Sequence, residues 1–208
     1  MRRTSLFVTV LPVIVVGRTH HADHPKFTRL AIMRTIYLIG FRGTGFRDTQ
    51  FANEPALIRA GHVGWAFEEE TEVIYGFHPT AAAVERVGGE AEAIKWLKAK
   101  HTLDGTVQYD TAVFERAHEL AQQGARTAVW QISVMVDDVE FARVHTVTIN
   151  WYNEHSQYSY GFPPDEPKPD QDNCATFPRR LGLPVLDAIG QISEYVRKLE
   201  ADGDRWQP

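Results

Sequence analysis

The chain has 208 residues, 43% hydrophobic and 24% charged, with a formal net charge of -5. That length suits one domain with a full hydrophobic core, and the acidic balance excludes a basic footprint for nucleic acid. No run of about 18 apolar residues occurs, so no integral membrane span is expected in the mature domain. The single cysteine, Cys174, excludes an intramolecular disulfide and a cysteine-based zinc cluster.

Residues 1 to 17, MRRTSLFVTVLPVIVVG, place two arginines before an apolar run and a small residue, the layout of a secretory signal peptide. Thr9 and Pro12 interrupt that run. The alternatives are that translation begins at Met33 and the segment 1–32 is spurious, or that the stretch is a strand of the fold. The protein is expected to be cytoplasmic if it starts at Met33 and secreted if residues 1–17 are a signal. His20 and His24 have the i,i+4 spacing of metal ligands on a helix, but Pro25 follows and no helical pattern surrounds them. They read, with His21, as a solvated tail.

From Met33 to Pro208 the pattern is that of one α+β domain. Thr35–Ile39 is a short β-rich run closed by the glycine-rich GFRGTGF. Gly40 and Gly45 have the spacing of a phosphate loop, but Phe46 and Arg47 stand where its lysine and hydroxyl belong. The glycines therefore read as a turn in which backbones approach closely. His62–Phe67 and Glu72–Phe77 are two further β-rich runs, joined by a charged turn at Glu68–Thr71. Alternation puts His62, Gly64 and Ala66 on one face of the first run, leaving space before the imidazole.

Helical patterns are expected over Thr80–Val87, Glu90–Lys100 and Asp110–Gln123, the last opened by an Asp-Thr cap signal. Thr127–Val136 alternates as a strand. Asp137 or Asp138 then caps a segment to about Trp151 that reads as a helix, although Val147, Ile149 and Trp151 also alternate. The proline-rich loop Pro163–Pro169 delivers the chain to Asp172-Asn173-Cys174, and a final helix is expected from about Val185 to Ala201.

Thiol catalysis needs a cysteine that ionises, a base that exchanges its proton, and a donor for the oxyanion. Asp172 and Asn173 are helix-capping types, so Cys174 is expected in the first turn of a short helix, where the dipole and free N–H groups would lower the thiol pKa. Gly61-His62-Val63-Gly64, followed by a second strand ending Tyr75-Gly76-Phe77-His78-Pro79, resembles the histidine hairpin of NlpC-type papain-like amidases. Asn173-Cys174-Ala175-Thr176-Phe177, about a hundred residues later, is similar to the N-C-x-x-F turn of circularly permuted members of that superfamily, in which the histidine precedes the cysteine. The resemblance covers roughly residues 35 to 185.

It implies a permuted papain-like core: a small antiparallel sheet packed against helices, with a helical insertion over Thr80–Gln123. It also implies a cysteine amidase or peptidase, with Cys174 as nucleophile and His62 as the base of a thiolate–imidazolium pair. His78 matches best as the group orienting the imidazole, Tyr75 next, and Asn173 serves either as oxyanion donor or as helix cap. The substrate would be a small peptide or other amide, with no cofactor and no metal. Alternatives are a non-catalytic binding module on the same fold, or a thioester or lipid acyl hydrolase or acyltransferase. The remaining histidines, His101, His118, His145 and His155, read as structural or exposed.

Overall fold

The computed structural model describes residues 32–153, 159–161, 171–183 and 192–208. The expectations for the N-terminal segment, the proline-rich loop and His155 lie outside them. Among the described residues, eight strands form one sheet: β1 (Met33–Arg42), β2 (Gly61–Phe67), β3 (Tyr75–Pro79), β4 (Leu103–Tyr109), β5 (Val129–Asp137), β6 (Ser159–Tyr160), β7 (Gln171–Asp172) and β8 (Asp204–Arg205). Their order is β7-β6-β4-β3-β2-β1-β5-β8, antiparallel except for the β6–β7 pair. The helices are α1 (Ala56–Ala60), α2 (Ala81–Arg86), α3 (Glu90–Lys98), α4 (Thr111–Gln122), α5 (Asp138–Asn153), α6 (Phe177–Arg180) and α7 (Ile192–Asp202). The class is α+β.

Two expectations are corrected. The stretch from Thr80 to Gln123 is not a helical insertion, because β4 runs through it and pairs with β3 from Tyr75↔Tyr109 to Pro79↔Gly105. Asp104, Gly105 and Gln108 hide that strand, being poor β-formers, while its apolar positions Leu103 and Val107 are both buried. The sheet is also larger than expected, since short strands at both edges extend it. The second hairpin strand starts at Tyr75, three residues later than its β-rich run.

Pleating divides the core in two. Along β2, Val63, Trp65 and Phe67 enter one apolar cluster, with Ile36 and Leu38 of β1, Phe141 and Val144 of α5, and Val196 and Leu199 of α7. Ala66 enters the other, with Ile39 and Phe41 of β1, Ile58 of α1, and Phe114, Ala117 and Leu120 of α4. Each large side chain so buried contributes about 1.5–3 kcal/mol. The glycine-rich turn after β1 is a close backbone approach: a Cβ on Gly43 would overlap the Arg59 carbonyl, and the Thr44 and Gly45 N–H groups donate to Ile58 and Arg59.

Candidate active site

β2, β3 and the start of α4 bring three polar side chains together inside the sheet. His62 is fully buried, Asp110 is 2% exposed and His78 is 8% exposed. Nε2 of His62 lies 2.7 Å from Asp110 Oδ2, and Nε2 of His78 lies 2.6 Å from the same oxygen. A carboxylate only accepts, so both Nε2 atoms carry their proton. The neutral His62 ring is thereby fixed as the Nε2–H tautomer, and its Nδ1 holds a lone pair. That Nδ1 is buried and meets no hydrogen-bond partner among the described residues.

Asp110 is the residue that sequence reasoning missed as a site group. It reads there as the cap of α4, and it does stand at the N-cap, but its side chain makes no capping bond. Other groups anchor the helix start. The Asp110 N–H donates to the Ile74 carbonyl, while the Thr111 hydroxyl accepts from Ile74 N–H and donates to the Glu72 carbonyl. The carboxylate is left free to turn into the sheet. The available signal was an Asp closing an alternating stretch, one residue beyond a strand that itself went unread.

Electrostatics separates the members. Burial alone would push the Asp110 carboxyl up, but the charges of His78 and His62 and their hydrogen bonds hold it well below the carboxylate range. Burial lowers the His62 imidazole, outweighing the charge and hydrogen bond of Asp110, and a charged His78 would oppose a second proton there. The resting state is an ionised Asp110 beside a neutral His62.

Cys174 follows different neighbours. It belongs to the cluster of Trp65, Phe77 and Phe177, whereas the ring neighbours of His62 are Phe41, Phe114 and His78. The two meet at a seam. β2 and β3 pair only at Gly64↔Gly76 and Trp65↔Tyr75, then part. Beyond that point the Val63 N–H donates to the Cys174 sulfur, as does the Tyr160 hydroxyl. Since Val63 adjoins His62, the sulfur lies beside the backbone of the histidine without a hydrogen bond to its ring.

The expected activation of the thiol is corrected. Cys174 is fully buried, and burial pushes its thiol up to about 12 despite the donors from Val63 and Tyr160. The four-residue α6 begins only at Phe177, too short and too late to offer the sulfur a strong dipole. No preformed thiolate–imidazolium pair exists in this state.

Asn173 caps the turn: its Oδ1 accepts from the N–H groups of Ala175 at 2.8 Å and Thr176 at 3.0 Å. Tyr75 lies apart from the imidazoles. It projects from the opposite face of β3 to His78, stacks on Trp65 and donates to Glu70 at 3.0 Å. His118 bonds Gln122, His101 lies against Trp96, and His145 approaches Glu70.

The donor atoms of His62, His78 and Asp110 all lie within 4.8 Å of one another, a set from which a metal site can be assembled. Their N–O separations are those of hydrogen bonds, shorter than the roughly 3.3 Å between neighbouring ligands of a tetrahedral zinc ion. A metal-bound imidazole also normally donates its other N–H to a partner, which His62 lacks. The separations fit a hydrogen-bonded histidine–carboxylate cluster better than a metal centre. No family model, no curated protein and no solved structure matches this chain.

Proposed function

We propose that the protein is a cysteine-dependent hydrolase of amides or peptides, built on a permuted papain-like core, with Cys174 as nucleophile, His62 as base and Asp110 as the group that orients it. One observation carries the reading. The His62 ring has its Nε2–H committed to Asp110 and its Nδ1 lone pair uncommitted, in a fully buried position one residue from the N–H that meets the only cysteine. An imidazole held on one nitrogen and open on the other is what general-base activation of a neutral nucleophile requires.

In this reading the thiol stays protonated until the substrate carbonyl arrives. The proton then passes from sulfur to His62 Nδ1 as the S–C bond forms, and Asp110 stabilises the resulting imidazolium. The leaving amine takes that proton as the C–N bond breaks, giving a thioester. Water, deprotonated by the same Nδ1, cleaves the thioester and restores the thiol. Because both groups are fully buried, substrate must open the seam between β2 and β3, so opening gates turnover. His78 assists by sharing the carboxylate.

The raised pKa and complete burial of Cys174 favour a second reading, a non-catalytic binding module on the same fold. Incubation with a panel of peptide amides, thioesters and lipid acyl esters, followed by intact-mass analysis, separates the two. The hydrolase reading expects an acyl adduct on the protein that Cys174→Ala abolishes, with turnover reduced about 10⁴-fold or more in that variant and in His62→Ala. Turnover that persists in Cys174→Ala, or no adduct with any member of the panel, sinks it.

A further inference from the structure

Gly76 sits on β3 directly opposite Gly64 of β2, the last point at which those strands pair before the seam opens. It shares a strand face with His78, two residues on. A Cβ built at Gly76 would overlap the Asp110 carboxylate at Oδ2 and come within 2.5 Å of His62 Nε2. The backbone needs no unusual conformation there, since Gly76 is absent from the residues with positive φ. What the position requires is volume. The missing side chain is the space in which the carboxylate and the imidazole meet.

We propose that Gly76 is a positioning residue: the notch it leaves in β3 admits the Asp110 carboxylate between the two imidazoles and thereby fixes His62 as the Nε2–H tautomer with Nδ1 free. Any side chain at 76 displaces Asp110 Oδ2 and severs at least one of the two hydrogen bonds. This assignment concerns the hydrogen-bonded cluster and stands without the hydrolase reading. Its effect on catalysis rests on that reading.

Gly64 supplies a matched control. A Cβ there would come within 2.5 Å of the Tyr75 carbonyl, 2.9 Å of Ile74 Cγ2 and 3.1 Å of Phe114 Cε2, but meets neither His62 nor Asp110 among its nearest atoms. Gly64→Ala therefore crowds the same strand pair without entering the cluster.

The first experiment is a long-range ¹H–¹⁵N spectrum of the full chain, with His62 and His78 assigned by substitution. In the wild type His62 should show a protonated Nε2 and a pyridine-like Nδ1 at pH 7.5. Gly76→Ala should lose that signature, whereas Gly64→Ala, of comparable or greater instability, should keep it. The opposite tautomer in the wild type overturns the proposal before any glycine is changed. So does a Gly76→Ala protein that retains the wild-type signature.

The second experiment is a double-mutant cycle read by urea unfolding. Asp110→Ala removes the carboxylate atoms that a Cβ at 76 would strike hardest and leaves only the 2.5 Å approach to His62 Nε2, so Gly76→Ala should cost less in that background than alone. Additive costs overturn the proposal. If the spectra behave as expected but no substrate acylates the wild type, the hydrolase reading fails and the positioning role of Gly76 survives. If acylation occurs, Gly76→Ala should lower kcat and alter its pH profile with little change in KM, and Gly64→Ala should leave that profile in place.

Discussion

Asp110 and Cys174 are both acids sealed inside the sheet, 2% and 0% exposed, and the fold treats them in opposite ways. Two imidazole N–H groups at 2.6 and 2.7 Å converge on one oxygen of Asp110, enough to overcome burial and keep the carboxylate charged. Cys174 receives a backbone N–H and a phenolic hydroxyl, and burial still wins, leaving the thiol neutral. Carboxylate oxygens concentrate charge and bind donors strongly, while sulfur is a weak acceptor. Equal burial thus leaves an anion in one region and a neutral thiol in the other.

Removing the anion tests this contrast most severely. Asp110→Ala takes away the shared acceptor of two buried imidazoles and should cost about 3–5 kcal/mol in urea unfolding, where a loss under 1 kcal/mol would show that the cluster is not held as described. The thiol region supplies the next effect. A thiol moved from the usual range to about 12 carries roughly a thousandfold less thiolate, so alkylation by iodoacetamide at pH 8 should be at least about a hundredfold slower in the native protein than in urea. Native and unfolded rates within tenfold of each other would mean an exposed or activated cysteine.

Acid titration sharpens the distinction between the cluster members. His62 is depressed by burial, so below its ordinary pKa of about 6.5 the unfolded chain binds a proton that the folded protein refuses. Stability should therefore fall as pH drops from 7 to 5, by at most about 1.4 kcal/mol per pH unit from this one group, and His62→Gln should flatten that slope. Asp110 adds a later loss. Its depressed carboxyl contributes stability that is fully present above the unfolded pKa and disappears only as the pH falls below about 4. A wild-type stability that is level from pH 7 to 5 would contradict a neutral His62. The smallest effect lies at the surface, where Arg86 pairs with Asp104 and both are more than 60% exposed. Arg86→Ala should change unfolding stability by less than about 0.5 kcal/mol.

Much of the frame was legible because it is periodic. The run TIYLI lies within β1, HVGWAF forms β2, and the patterns over Glu90–Lys100 and Asp110–Gln123 mark α3 and α4 to within a few residues. The segment after Asp137, readable in either period, is the helix α5. What escaped is what periodicity does not encode. β4 is polar at half its positions because that side is partly solvated, and without it the link from Asp110 to the histidine hairpin is invisible. His62 and His78 were linked through the resemblance of their hairpin, and the structure places both against Asp110. Asp110 presents the sequence of an ordinary helix cap, and only the anchoring of Ile74 by Thr111 reveals that its carboxylate is needed elsewhere. The thiol was read from two capping-type neighbours, of which Asn173 does cap the turn while Asp172 pairs with Arg180, but the depth of its burial depends on Trp65, Phe77 and Phe177 meeting from distant strands and α6.

The seam between β2 and β3 has a consequence for the order of assembly. His62, His78 and Asp110 come from one continuous stretch of fewer than fifty residues, so the base and its anchor need only local loops to close. Cys174 arrives from far along the chain, on a turn held by Asn173 and flanked by Phe177, and its sulfur takes the Val63 N–H that β3 leaves unpaired. A chain with its hairpin and α4 in place therefore already holds the complete His62–Asp110–His78 cluster before Cys174 arrives. Docking of the 171–183 segment is then a separate, long-range closure, which seals the thiol among Trp65, Phe77 and Phe177.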